Sequence, residues 1–233
     1  MKISFFKYSD KGPRTENQDA LAITNTDKLS VICIADGVGG VNCGKIAAME
    51  SVSFFIENVD KNTNLERLVG KIHFKIKELQ ELKQECSGMA TTFTGCVIED
   101  NLLKIAHVGD SRICVLRGDG MKQLSESHTE LNRLLKIGKI QLKDADNYPR
   151  KHILESAIGM KRDLIIQTTE FLLMPFDRVL LTTDGVHNII SKIEFRNLSK
   201  KSLNIDDFGS NILSLLETKS ITDNVSFIAI EVQ

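Results

Sequence analysis

The chain lacks an apolar run long enough to cross a bilayer, an excess of charge of either sign, a CxxC pair and a phosphate loop of the GxxxxGK[ST] type. Each absence removes a class of protein. A membrane-spanning helix needs about 20 consecutive apolar residues, and the apolar stretch within Met1-Lys2-Ile3-Ser4-Phe5-Phe6-Lys7 is too short for a secretory signal. A cytoplasmic protein with no membrane partner is expected. Thirty basic residues against 31 acidic ones leave a formal net charge of -1, so no global field draws nucleic acid. Any affinity for phosphate has to be local. The five cysteines (Cys33, Cys43, Cys86, Cys96 and Cys114) are odd in number and scattered, which argues against a zinc ribbon or disulfide framework and for free thiols. Repeats, low-complexity tracts and linkers are missing too, and 233 residues fill one core. One domain over residues 1–233 is the expectation.

What is present reads as strands and helices in an irregular order. Apolar runs rich in β-branched residues predict strands near Met1–Lys7, Asp19–Asn25 and Ser30–Asp36, with Thr26-Asp27-Lys28 as a turn. Helical spacing follows from about Lys45 to Val59 and again from Leu65 to Lys83, where Leu65, Leu68, Val69, Ile72, Ile76, Leu79 and Leu82 recur. Strands over Met89–Glu99, Leu102–Val108 and Arg112–Leu116, separated by Asp100-Asn101 and closed by Arg117-Gly118-Asp119-Gly120, read as an antiparallel meander. Residues 125–162 are polar and irregular and read as a flap. Strands resume at Leu164–Phe171 and Arg178–Thr183, helices at Ser191–Ser199 and Ile205–Thr218, and a last strand at Val225–Val232. This is not the βαβα alternation of a parallel sheet. An α+β sandwich of two antiparallel sheets flanked by helices fits the order.

Several aspartates stand where strands end: Asp19, Asp36 before Gly37, Asp110 after Gly109, Asp184 before Gly185, and Asp223 before Asn224. A single Asp-Gly is most simply a turn, because the carboxylate bonds nearby amides and tolerates unusual dihedrals. Two of them, however, follow strongly apolar strands, Val31-Ile32-Cys33-Ile34-Ala35 and Val179-Leu180-Leu181-Thr182-Thr183, which sets carboxylates at the edge of a core. Converging carboxylates repel unless a cation neutralises them. Oxygen donors without cysteine or histidine suit Mg2+ or Mn2+ rather than Zn2+.

The segments Arg14-Thr15-Glu16-Asn17-Gln18-Asp19, Ala35-Asp36-Gly37-Val38-Gly39-Gly40, Gly88-Met89-Ala90-Thr91-Thr92, His107-Val108-Gly109-Asp110-Ser111-Arg112, Thr183-Asp184-Gly185 and Asp223-Asn224, in this order, resemble the PPM (PP2C-type) phosphatases, particularly the short bacterial single-domain branch. The flap, from His128 through Asn147-Tyr148-Pro149-Arg150 to Ala157-Ile158-Gly159, is similar as well. The resemblance implies a metal-dependent protein serine/threonine phosphatase that acts on phosphoproteins as a monomer, opposes a serine/threonine kinase, and requires neither nucleic acid nor membrane. It implies that Asp36 and the Gly37 carbonyl bind a pair of Mn2+ or Mg2+ ions, with Asp184 and Asp223 on one ion and Asp19 in a water-mediated shell. Asp110 would hold a looser third ion. Arg14 would grip the phosphoryl group, and Arg14, Asp36 and Asp184 would carry catalysis, the paired ions activating a water for in-line attack. Gly39 and Gly40 would let the backbone approach the metals, while Thr91, Thr92, Ser111 and Arg112 would shape the sheet.

The match departs at Val38. Many family members carry a histidine there that protonates the leaving group; a valine cannot, and water is the expected substitute. The five histidines, His73, His107, His128, His152 and His187, are read as structural or solvated. A partner-binding module that keeps the fold with weak catalysis is the alternative, disfavoured by the intact aspartates. A dinucleotide fold fails because Asn42 stands where GxGxxG needs glycine.

Overall fold

A computed structural model describes residues 2–26, 29–38 and 43–233. Most of the turn at Thr26-Asp27-Lys28, and Gly39, Gly40 and Asn42, lie outside the described residues. The chain forms β1 (Ile3–Asp10), β2 (Asp19–Asn25), β3 (Ser30–Val38), α1 (Gly44–Asn58), α2 (Leu65–Leu82), β4 (Ala90–Thr91), β5 (Phe93–Glu99), β6 (Leu102–Val108), β7 (Arg112–Arg117) and β8 (Gly120–Gln123). It continues with α3 (Glu130–Lys136), β9 (Gln167–Leu172), β10 (Arg178–Thr182), α4 (Asp184–His187), α5 (Lys192–Lys201), α6 (Ile205–Glu217) and β11 (Val225–Val232). Two antiparallel sheets result, one ordered β1-β11-β10-β7-β8 and the other β2-β3-β5-β6-β9, with the short β4 paired to β3.

The layers follow from strands that are apolar on both faces, as expected where each face is covered. Along β3, Ile32 and Ile34 point between the sheets, while Val31, Cys33 and Ala35 pack under α1 and α2. In β11, Ile228, Ile230 and Val232 fill the inter-sheet core, and Val225, Phe227 and Ala229 meet α5 and α6. The order is therefore helices, sheet, sheet, helices. Polar caps set where the helices begin: Asn64 accepts from the Arg67 amide, Asn204 from the Asp207 amide, and Ser191 with Glu194 forms a reciprocal capping box.

Two sequence expectations change. The third strand of the supposed meander leaves its sheet: β6 lies between β5 and β9, whereas β7 pairs with β10 and β8 in the other sheet. The turn at Gly109, whose φ of 103° favours glycine, makes that switch. Arg117-Gly118-Asp119-Gly120 does turn as expected, with Arg117 paired to Gly120 and β8 following. The five thiols are not all free: Cys43 and Cys86 form a disulfide, and Cys33, Cys96 and Cys114 are free and buried. Residues 43 apart carry no sequence sign of meeting. The fold brings the start of α1 beside the 3-10 turn Gln84–Cys86.

Within residues 125–162, α3 and a 3-10 turn at Leu142–Asp144 bury no residue of their own. The segment is held to itself by polar contacts, with Tyr148 and Arg150 both bonded to Glu130. Its return leg, residues 153–158, is stitched back to the body. Glu155 N–H donates to the His128 carbonyl at 2.8 Å, and Thr91 and Ile158 exchange backbone bonds of 3.0 and 2.9 Å.

Candidate functional site

Strand pairing sets the first two carboxylates side by side, because Asp19 and Asp36 are partners in the β2–β3 register. Neither of the Asp-Gly pairs at 36–37 and 184–185 is a turn. Gly37 continues β3, and a methyl group there would sit 2.3 Å from the Gly44 backbone. Gly185 lies in α4, where a methyl would come 1.9 Å from the Asn224 carbonyl oxygen. Both glycines are demanded by close backbone packing, which brings the α1 entry to β3 and the β11 entry to α4.

Asp36 is fixed by its backbone. Its amide donates to Thr92 Oγ1 at 3.0 Å, and its carbonyl accepts from Thr91 Oγ1 and the Thr92 amide, each at 2.9 Å. Thr92 Oγ1 in turn meets Ser111 Oγ at 2.7 Å, next to Asp110. Asp19 is buried; its Oδ2 accepts from Thr183 Oγ1 at 2.9 Å, while its Oδ1 has neither solvent nor a hydrogen-bond partner. Arg14 forks onto Asp223 through Nε and Nη2, at 2.9 and 2.8 Å. Asn224 ties that loop down by accepting from the Gln18 amide and donating to the Lys11 and Glu16 carbonyls, all at 2.9 Å.

The electrostatics are those of negative charges sharing one recess. Burial pushes Asp19 up to about 7, with Asp184 and Asp223 adding repulsion. Asp110 rises to about 7 through burial and then through Asp184. Asp36 is driven well above the carboxylate range by burial, followed by Asp19, Asp184, Asp110 and Asp223, and Asp184 rises through burial and then Asp223. Among the described residues, Asp19, Asp36, Asp110 and Asp184 have no Lys or Arg salt bridge; only Asp223 has one. No three or more His, Cys, Asp or Glu side chains among the described residues close into a single cage for an ion. The shared field is the more informative observation. Ions held partly through water and backbone carbonyls need charge directed at one recess rather than three side chains in contact. An orphaned buried oxygen, uncompensated carboxylates and an all-oxygen donor set fit Mg2+ or Mn2+.

The structure thus brings Asp19, Asp36, Asp110, Asp184 and Asp223 into one charge network, with Arg14 at its edge on Asp223. Sequence reasoning gave no role to Thr183 or Asn224, although both adjoin the aspartates of their motifs. Of the histidines, His107 is buried between Thr94 Oγ1 at 2.8 Å and the Gly109 and Glu126 carbonyls at 3.0 Å, and His128 Nδ1 accepts from the Gly109 amide at 3.2 Å. They clamp the turn that carries Asp110. His187 bonds Thr182 and His73 bonds the Gly159 amide.

The protein phosphatase 2C family model matches residues 13–226. A protein phosphatase PhpP of Streptococcus pneumoniae is 30% identical over 222 residues, covering 91% of this chain and 90% of that protein. The serine/threonine phosphatase stp of Listeria innocua is 27% identical over 235 residues, covering 96% and 93%. A solved serine/threonine phosphatase of S. agalactiae superposes with a TM-score of 0.91 at 25% identity, over 100% of both chains.

Proposed function

The chain belongs to the protein phosphatase 2C family, and we propose on that premise how its aspartate recess serves a serine/threonine protein phosphatase. The enzyme hydrolyses phosphoserine and phosphothreonine esters in proteins. Asp36, the Gly37 carbonyl, Asp184 and Asp223 are the groups that would hold two Mn2+ or Mg2+ ions, with Asp19 behind them and Asp110 toward a third. Such ions supply an acidified water for in-line attack and offset charge at phosphorus.

The protein's own contribution is orientation. Arg14 spends its Nε–Nη2 edge on Asp223 and keeps Nη1 and the second Nη2 proton for phosphoryl oxygens. Asp223 would on this reading serve the metal recess and the phosphate grip together. Thr91 and Thr92 fix the Asp36 backbone, and Thr183 bonds one oxygen of Asp19. The observation that carries the reading is the set Asp19, Asp36, Asp110 and Asp184, none of them salt-bridged among the described residues, with Asp19 Oδ1 buried and unsatisfied.

A phosphoprotein substrate, an opposing serine/threonine kinase, a monomeric enzyme and a cytoplasmic setting complete the proposal. Among the described residues no helix is long and apolar enough to cross a membrane. The three free cysteines accord with a reducing compartment; the Cys43–Cys86 bond does not. Phosphate release from a phosphothreonine peptide should require added Mn2+ or Mg2+. Full turnover after exhaustive chelation, with zero metal content verified, would falsify the reading.

A further inference from the structure

Whereas α2, α5 and α6 begin on a side-chain cap, α1 begins on Cys43 without one and has no acidic residue in its first turn. The disulfide to Cys86 holds that end instead. From the bond, contacts lead to Asp36-Gly37 by two routes. On one side Gly44 follows Cys43 and packs against Gly37, so closely that a methyl group on Gly44 would stand 3.0 Å from the Gly37 carbonyl oxygen. On the other, the Cys86 carbonyl accepts from the Met89 amide at 3.0 Å, and Ala90 and Thr91 then pair with Val38 and Gly37. Thr91 Oγ1 donates to the Asp36 carbonyl at 2.9 Å. The two sides differ in what else holds them. Gln80 grips the β4 side, donating to the Met89 and Gly159 carbonyls at 2.8 and 2.7 Å and accepting from the Gly88 amide at 3.2 Å. The α1 side has a half-exposed ion pair, Lys45 to Glu16 at 3.1 Å, which water screens. Opening the bond therefore releases the α1 entry from the Gly37 carbonyl while β4 stays in place.

We propose that the Cys43–Cys86 pair is a reversible redox site that sets the metal affinity of the recess: a dithiol opens it and weakens Mn2+ binding, and reoxidation restores it. The proposal rests on the reading of Asp36 and the Gly37 carbonyl as metal ligands and adds a control on them. In the step, one thiolate of the dithiol forms a bond to the sulfur of one cysteine, and the bond between the two cysteine sulfurs breaks. Its electron pair leaves on the other cysteine, which takes a proton. The second thiolate of the reagent then displaces the first cysteine, which takes a proton too. Two electrons and two protons pass to the protein, and the reagent departs as a disulfide. The bond lies just beneath the surface, with Gln84, Glu85, Ser87 and Gly88 exposed on either side of Cys86. The other three cysteines stay out of the exchange. Burial pushes the thiols of Cys33 and Cys96 up, and that of Cys114 up to about 11, so they carry little thiolate.

The test compares the whole chain purified without reductant, the same protein after dithiothreitol treatment and removal of the reagent, and the reoxidised sample. Thiols are counted in denaturant, fold is followed by circular dichroism, and Mn2+ affinity is measured by calorimetry. Reduction should raise the thiol count from three to five. The Mn2+ dissociation constant should rise about 10-fold, the low end for a group that orients a metal ligand, and return on reoxidation. Cys43→Ser with Cys86→Ser should show the reduced value and ignore the reagent. Unchanged Mn2+ affinity in a folded, fully reduced protein would overturn the proposal, as would a double variant that still responds. Five thiols in the untreated sample would overturn it as well, and so would a reduced chain that unfolds, which makes the bond a structural staple only. Untreated wild type that binds no Mn2+ and releases no phosphate from a phosphothreonine peptide would instead sink the metal-dependent phosphatase reading itself.

Discussion

Single residues at this site act through charge and contact in ways that can be separated. Asp36 and Asp184 are packed among other carboxylates, so their removal should relieve repulsion and yet forfeit the ions. Asp36→Asn and Asp184→Asn keep size and hydrogen bonding while deleting one charge each. Calorimetry should show Mn2+ affinity reduced by about 100-fold or more, beyond the 10- to 100-fold typical of an outer-shell partner, with turnover lost in parallel. The apo proteins should be no less stable than wild type, because burial already penalises these charges in the free enzyme. Unchanged Mn2+ affinity in both variants would remove them from the ligand set. Val38 shows the opposite kind of legibility: one apolar residue in a polar motif says what is missing, not what replaces it.

At the scale of elements, the junction between β6, the Gly109 turn and the start of the flap depends on two neutral imidazoles. Burial holds His107 down to about 3, with the neighbouring His128 adding to the effect, and holds His128 down to about 4. Glu126 and Lys136 act on His128 in opposite senses, and the Gly109 and Glu126 carbonyls favour a protonated His107 without offsetting burial. Both folded-state values lie below the ordinary histidine value of 6.5. The unfolded chain therefore binds more protons as pH falls through 6.5, and stability is lost from there down toward about 4. The raised Asp19 and Asp110 titrate in the opposite sense over part of this range, so the informative quantity is the difference between wild type and His107→Gln. Between pH 6 and 4 urea unfolding should show wild type losing about 1.4 kcal/mol per pH unit relative to the variant, the slope of one proton. Parallel stability profiles would mean that His107 is not held neutral.

The whole molecule is four layers fastened at one point by a covalent bond. Cys43 heads α1, and Cys86 closes the turn that leads into β4, which pairs with Gly37 and Val38. The bond therefore ties together both chain segments flanking the Asp36 strand end. With the cysteines 43 positions apart, loop-closure entropy assigns the bond about 4 kcal/mol of stability. Cys43→Ser with Cys86→Ser, or reduction of the wild type, should lower the unfolding free energy by that order in a urea titration. No difference between oxidised and reduced protein would mean that the bond is not formed in solution.

Much of this could be read before any coordinates. The strands Asp19–Asn25, Leu102–Val108 and Val225–Val232 were legible to the residue, because period, β-branching and flanking turn residues are local properties. The aspartates could likewise be singled out as candidates, since motif order along the chain is a one-dimensional signal. Tertiary structure alone decided the rest. That β7 leaves the sheet of β6, that Asp36-Gly37 extends a strand instead of turning, that Cys43 meets Cys86 and that Arg14 grips Asp223 all depend on segments distant in sequence. The physical reason is the same in each case. A glycine looks like a turn until the neighbouring backbone that forbids a methyl group is present, and a carboxylate's cost depends on which other charges the fold sets beside it.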